Sequence, residues 1–308
     1  MRVTVLCGGP GDERAISLKS GAAVADGLRA AGHDVFVSDI FPDELSALDR
    51  PADVIFPVLH GEFGESGDLQ EQLEARRLVF VGSGSAASRL GINKVLTKQR
   101  WTAAGLHTPQ YLLVTPTNRS AIDEFPLPCI VKPVDSGSSV GVFRCDTREQ
   151  ARDAIAKTLA QRSSALVEQF IAGIELTIGL LEDRPLPPIR IYNPRGGLFD
   201  FDAKYQSAET EHRFDTTLPD AVLARCIKDS TRAYHLLGCR DLGRIDLIVD
   251  AAGVPWLLEI NTLPGFTSHS LLPHAAQQAG ISFPQVVDRL VNAARTRAQA
   301  ASRLGKAV

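Results

Sequence analysis

Along the first third of the chain, apolar and polar positions come in blocks whose period changes. Val3 to Cys7 is a run rich in apolar residues that ends at Gly8-Gly9, the pattern of a strand buried on both faces. Ser17 to Ala31 switches to helical spacing, with Gly32 placed to terminate it. Val35 to Val37, Val54 to Leu59 and Val79 to Val81 read as further strands. The second of these stops at His60-Gly61 and the third at Gly82-Ser83-Gly84. Strands and helices in that alternation predict a parallel sheet covered on both faces, with ligand loops at the carboxyl ends of its strands. Glu13 and His60 fall on such loops.

From Ile92 onward the pattern changes. Asn93 to Ala104 reads as a helix, broken by Thr108-Pro109, and Cys129 to Pro133 as a strand stopped by proline before the small-residue turn Asp135 to Gly141. Thr147-Arg148-Glu149-Gln150 has the capping-box spacing and opens a helix towards Ala160. Ala165 to Phe170 and Glu175 to Leu181 read as strands. The polar segment from Asn193 to Pro219 lacks regular periodicity, and a segment of that length in a compact protein predicts a functional loop or lid. Asp220 to Leu237 reads as a helix, Gly243 to Val249 and Pro255 to Ile260 as strands joined by a turn at Asp250 to Gly253, and Phe283 to Ala298 as a final helix. The expected division is 1–91, 92–177 and 178–308. No internal repeat or low-complexity tract interrupts it.

Composition narrows the field. The chain has 308 residues, 44% hydrophobic and 22% charged, as in an ordinary globular protein. A net charge of −3, with Lys and Arg spread thinly, gives no broad basic face and excludes nucleic acid as a partner. No apolar run approaches the roughly eighteen residues of a membrane span, and the first apolar run is too short for a secretory core. Five scattered cysteines argue against a disulfide framework, a zinc site or a redox pair. They are expected to be buried thiols in a reducing cytoplasm.

Polar residues inside otherwise apolar strands carry the candidate chemistry. Lys132-Pro133 leads into Asp135-Ser136-Gly137-Ser138-Ser139-Val140-Gly141, a loop whose amides can surround phosphate oxygens beside the lysine charge. It lacks the P-loop pattern, and taken alone it is equally a structural turn. Arg244 and Asp246 share one strand face, as do Glu259 and Asn261. If the strands pair as a hairpin, hard oxygen donors suited to magnesium and substrate phosphates converge beside a guanidinium. An exposed hairpin with ordinary surface charge is the alternative. Glu168 to Glu175 is either a nucleotide-binding hinge or a turn with solvated acids. Ser270-Leu271 can open a helix whose amides face a carboxylate, and His269 and His274 have no zinc spacing.

In this order the segments resemble the D-alanine–D-alanine ligases of the ATP-grasp superfamily, over nearly the whole chain. The resemblance is carried by Gly8-Gly9 to Glu13, Ser17 to Gly21, Leu59-His60-Gly61, Val131-Lys132-Pro133, Gly137 to Val142, Lys204-Tyr205, Gly243 to Asp246, Glu259 to Thr262 and Pro264 to Pro273. It implies an α/β fold that becomes α+β in the C-terminal two-thirds. The architecture is a three-domain ATP-grasp one with an N-terminal parallel-sheet domain. It also implies that ATP and D-alanine are the substrates, that magnesium ions (or manganese) assist, and that a homodimer supplies peptidoglycan precursors in the cytoplasm.

Site roles follow from the same resemblance. Glu168, Gln169, Phe170 and Ile171 would contact adenine and Glu175 the ribose. Lys94, Lys132, Ser138 and Lys204 would hold phosphates, and Asp246, Glu259 and Asn261 would bind metal. Glu13 would receive the ammonium of the first D-alanine near His60. Arg244 and Gly265 would stabilise the tetrahedral centre, and Ser270 and Leu271 would receive the second carboxylate. Tyr205 would link to Ser138 and Glu13. Loss of a carboxylate or phosphate lysine would mark a non-catalytic ATP-binding relative, and none is lost. Tyr205 favours D-alanine over D-lactate or D-serine as second substrate. Two positions depart from the family: Gly11 replaces its usual serine and Ser66 its usual aspartate, both bearing on the first amino acid.

Overall fold

In a computed structural model of the chain the described residues are 1–11, 13–137, 141–193, 211–267 and 270–304, without the side chains of Glu62 and Leu304. β1 (Arg2–Cys7) lies between β2 (Asp34–Asp39) and β3 (Val54–Pro57), parallel to both. All of β1 except Arg2 is buried, as its apolar run requires. α1 (Arg14–Ala30) begins ahead of the expected Ser17. It ends where Gly32 takes φ +84° and the amide of His33 reaches back to the carbonyl of Leu28 at 3.0 Å, a left-handed cap that glycine adopts without strain.

The strand expected at Val79–Val81 is reduced to one bridge, Ile55 against Phe80. The amide of Val81 still donates to Ile55 at 3.0 Å, but Gly82, at φ +100°, then turns the chain away. Between β3 and this bridge lie α2 (Glu62–Glu65) and α3 (Asp68–Ala75). Asn93 closes α4 (Ser85–Ile92) and caps α5 (Lys94–Ala103), its side chain accepting from the amide of Leu96 at 3.0 Å.

The central sheet is antiparallel and runs β4 (Tyr111–Val114), β7 (Ala165–Gln169), β5 (Cys129–Pro133), β6 (Phe143–Cys145). α6 (Arg148–Gln161) packs on it and opens with the expected capping box. The amide of Gln150 donates to Thr147 Oγ1 at 3.2 Å and the amide of Thr147 to Gln150 Oε1 at 3.1 Å.

The C-terminal sheet has the order β11 (Glu211–Arg213), β10 (Ile189–Tyr192), β8 (Gly173–Leu181), β12 (Leu242–Asp250), β13 (Pro255–Asn261), with β9 (Arg184–Pro185) paired to β8. β8 (Gly173–Leu181) belongs to it whole. The expected division after residue 177 falls within this strand. β10 (Ile189–Tyr192) pairs with β11 (Glu211–Arg213), so the segment expected to be irregular contributes an edge strand. The remainder of that segment, residues 194–210, lies outside the described residues. α7 (Asp220–Leu236), β12 (Leu242–Asp250), β13 (Pro255–Asn261) and α8 (Leu271–Gln278) follow the expected positions. α9 (Phe283–Leu304) runs beyond the expected Ala298.

α9 joins the two ends of the chain. Its Val286, Val287, Leu290 and Val291 share one core with Val3, Val5, Val24 and Leu28, and with Phe266 and Leu272 from the C-terminal part. Polar ties reinforce that seam: His33 Nε2 to Asp288 at 2.8 Å, Arg289 Nε to Glu182 at 2.6 Å, and Arg297 to Asp241. The five cysteines are buried and free. Among the described residues no helix is long and apolar enough to cross a membrane. The architecture is α/β in the first third and α+β beyond it.

Candidate active site

The two candidate strands do pair, with Arg244 opposite Asn261 and Asp246 opposite Glu259. A register shift follows immediately, so that Leu247 faces Leu257 and Leu258 is the extra residue of a bulge. On β13 this resets the alternation. Leu257 and Ile260 are both buried while Glu259 and Asn261 stay partly exposed on the face of Arg244 and Asp246. Bulges beside sites re-aim side chains in this way. Arg244 grips Asp246 through Nε at 2.9 Å and a terminal nitrogen at 2.8 Å, and Thr177 Oγ1 donates to the same carboxylate at 2.6 Å. The amide of Leu263 donates to Asn261 Oδ1 at 3.0 Å.

Behind the hairpin, lysines are buried to an unusual degree. Lys94 lies 3.5 Å from Glu259 and donates to the carbonyl of Ser136 at 2.6 Å. Glu168 is clamped between Lys132 at 2.7 Å and Lys98 at 2.6 Å, and Lys98 is fully buried. Burial pushes the Glu168 carboxyl up, yet Lys132 and Lys98 outweigh it and hold it below the usual range. Burial likewise lowers Lys132, but Glu168 and Glu259 leave it raised. In Lys98 burial wins, bringing it to about 8.

Two cavities meet here. The larger, of about 440 Å³, is lined by Glu13, His60, Glu65, Arg244, Asn261, Gly265, Ser270 and Leu271 among others. The narrower is lined by Lys132, Glu168, Gln169, Phe170, Ile171, Glu175 and Asp246. Lys94, Ser136, Gly137 and Glu259 line both. The second cavity thus gathers the expected nucleotide residues and the first the expected amino-acid residues, with Lys94 and Glu259 at the junction. The amides of Gln169 and Phe170 already donate to Gln110 at 2.9 Å and Pro128 at 3.1 Å. Neither amide is therefore available to a ligand.

In the larger cavity His60 is buried, and its Nε2 has no hydrogen-bond partner among the described residues. Burial, with Arg244 adding, lowers its imidazole to about 4, so it is neutral. Glu65 is also buried, and its carboxylate accepts from the amide of Gly61 at 2.9 Å. Burial, then the nearby Glu13, lift it to about 8. A Cβ on Gly137 would stand 3.4 Å from Glu65 and 3.8 Å from Glu13, so both acids close on the loop after β5. Ser270 caps α8. Its Oγ accepts from the amide of Thr267 at 2.9 Å, and a Cβ on Gly265 would come within 3.0 Å of it. The amides of Leu271 and Leu272 begin that helix and have no intrahelical acceptor.

Asp246, Glu259 and Asn261 offer carboxylate and amide oxygens at the junction of the cavities. Such a set fits magnesium held together with phosphate oxygens and waters. Among the described residues no group of three or more His, Cys, Asp and Glu could hold a metal alone. Ser138, Lys204 and Tyr205 lie outside the described residues, as does His269. Glu65, Lys98, Thr177 and His212 are site residues not singled out from the sequence, although Lys94 and Lys98 stand one turn apart on α5. Ser66 lines neither cavity: its hydroxyl donates to Asp68 at 2.8 Å. A Cβ on Gly11 would meet nothing within 4 Å.

The chain is similar to known proteins over nearly its whole length. Residues 100–292 match the family model described as the D-ala D-ala ligase C-terminus. A D-alanine--D-alanine ligase from Nitrosomonas europaea is 40% identical over 94% of this chain and 96% of its own length. A D-alanine--D-alanine ligase from Bacillus anthracis, solved in complex with ATP, superposes with a TM-score of 0.85 at 26% identity, covering 98% of this chain and 99% of that one. A D-Ala:D-Ser ligase from Enterococcus faecalis also superposes with a TM-score of 0.85, covering 95% and 99%, but at 24% identity that likeness shows the fold alone.

Proposed function

The chain belongs to the D-alanine–D-alanine ligases, and on that footing we propose that it joins two D-alanines at the expense of ATP through an acyl-phosphate. The observation that carries this reading is the buried cluster in which Lys98 and Lys132 share the single carboxylate of Glu168 beside a cavity. Buried positive charge in excess of its counter-ions is costly unless an anion completes it, and the phosphates of ATP are such an anion.

In this reading ATP occupies the narrower cavity and the amino acids the larger one. Lys94 and Lys132 draw charge from the phosphates, with Ser138 and Lys204 as their proposed companions. Glu175 takes the ribose. Asp246, Glu259 and Asn261 would hold magnesium, which when bound supplies charge neutralisation and orientation for phosphoryl transfer. Glu13 receives the ammonium of the first D-alanine. Its carboxylate, turned towards the junction, takes the γ-phosphoryl group and releases ADP. Neutral His60 offers its unpartnered Nε2 to the bound amino acid without adding charge.

The second D-alanine enters with its carboxylate at Ser270 and the amide of Leu271. Its neutral amine attacks the acyl carbon, and phosphate leaves. Arg244 and the backbone of Gly265 face the oxyanion formed in that step, where each pre-aimed donor contributes about 3 kcal/mol. Tyr205 is proposed to join Ser138 and Glu13 in closing the site, which keeps water from the acyl-phosphate. The enzyme works as a homodimer in the cytoplasm and supplies peptidoglycan precursors.

The test is phosphate release from ATP and magnesium with D-alanine, L-alanine, D-serine and D-lactate, offered singly and each paired with D-alanine. Release with D-alanine alone, together with the dipeptide, is the expected result. Release confined to a mixed pair would keep the chemistry and change the second substrate, while silence with every pair would overturn the reading.

A further inference from the structure

Lys98 touches neither cavity, yet it is the most enclosed lysine of the cluster, with no exposed surface. Its ammonium is held on three sides. Glu168 Oε1 lies at 2.6 Å, Thr108 Oγ1 at 2.6 Å, and the ring of Tyr111 at 5.9 Å. Thr108 spends its own proton on the carbonyl of Leu257 at 2.8 Å, so its lone pair is fixed towards Lys98. The lysine is therefore locked to β13 on one side and to Glu168 on the other, and it cannot reach a nucleotide.

Glu168 divides its carboxylate, one oxygen to Lys98 and the other to Lys132 at 2.7 Å. Lys132, which does line the nucleotide cavity, has Glu168 as its partner among the described residues. An ammonium carries three donors, so a single-oxygen contact leaves Lys132 with donors to spare. It also leaves charge to spare: Glu168 is shared with Lys98, Glu259 pairs with Lys94 at 3.5 Å, and Asp246 pairs with Arg244 at 2.8 Å.

We propose that Lys98 is a positioning residue for ATP. By taking half of Glu168 it keeps Lys132 from being neutralised and drawn back, and so leaves that lysine available to the phosphates. The proposal rests on the reading that ATP fills the narrower cavity. Without Lys98 the full charge of Glu168 falls on Lys132, and the freed oxygen can take a second of its N–H groups.

Lys98→Met keeps the length and packing of the side chain and removes its charge. Charge-assisted contacts of this kind set the scale, so ATP with magnesium chloride is expected to bind about tenfold or more weakly by calorimetry, and KM for ATP to rise in parallel. KM for D-alanine should stay within about twofold, because Lys98 acts on the nucleotide side alone.

Unchanged ATP affinity in Lys98→Met, or an equal rise in KM for ATP and for D-alanine, overturns the proposal, since a purely structural lysine would disturb both substrates alike. If Lys98→Met does not fold, Lys98→Gln, which can still donate to Glu168 without carrying charge, takes its place, and an ATP affinity equal to that of the wild type would overturn the proposal. Calorimetry with ATP and no amino acid separates this outcome from the assignment of D-alanine, which stands or falls on turnover.

Discussion

Glu65 shows how far a single side chain can be moved by its surroundings. Burial and the neighbouring Glu13 lift its carboxyl from an ordinary 4.5 to about 8, which spares the pocket a second adjacent negative charge at neutral pH. The folded protein therefore keeps a proton that the unfolded chain gives up above about 4.5. Stability from this group is complete below that value and is lost as pH rises towards 8. Glu65→Gln retains the acceptor for Gly61 and removes the titration. Its melting temperature should match the wild type near pH 5 and exceed it by a widening margin up to pH 8, by thermal denaturation across that range. A constant margin would mean that Glu65 is already ionised in the folded state. Nothing in Gly61 to Gly67 announces this role, because a glycine-rich stretch reads as a loop and burial arises only when α2 folds under it. Asp246, Glu259 and Asn261 were legible for the opposite reason: polar side chains are conspicuous in strands that are otherwise apolar.

Among the elements, the hairpin of β12 and β13 depends on counting as well as on chemistry. Period-two alternation correctly placed Arg244 with Asp246 and Glu259 with Asn261, but it could not show how Leu257 and Ile260 both reach the core. The bulge at Leu258 reconciles them. Inserting an alanine between Glu259 and Ile260 should force either Ile260 and Asn261 or Leu257 and Glu259 onto the wrong face, abolishing phosphate release and lowering the melting temperature sharply. Leu258→Ala preserves the count and should cost far less on both measurements. Equal damage from the two changes would show that the Leu258 side chain matters as much as the register. β11 escaped the sequence reading because three residues, two of them charged, give no periodicity. The helix of Thr147 to Gln161 was legible from its cap alone.

At the scale of the molecule, the parallel sheet of the first third could be read from alternating blocks, whereas the partnership between α1 and α9 could not, since helical periodicity marks an apolar stripe without naming what covers it. Leu290, fully buried in the core shared with Val5 and Leu28, reports on that partnership. Leu290→Ala should destabilise the fold by about 2–5 kcal/mol and loosen β1 to β3 together with α9, seen as accelerated amide exchange in both. Exchange confined to α9 would show that the first sheet holds without it. The same seam orders events in time. A ribosome makes β1, α1 and the neighbouring strands before the other described elements and α9 after them, so the nascent first sheet must wait through the synthesis of everything between with one apolar flank uncovered, a natural client for a chaperone until α9 arrives.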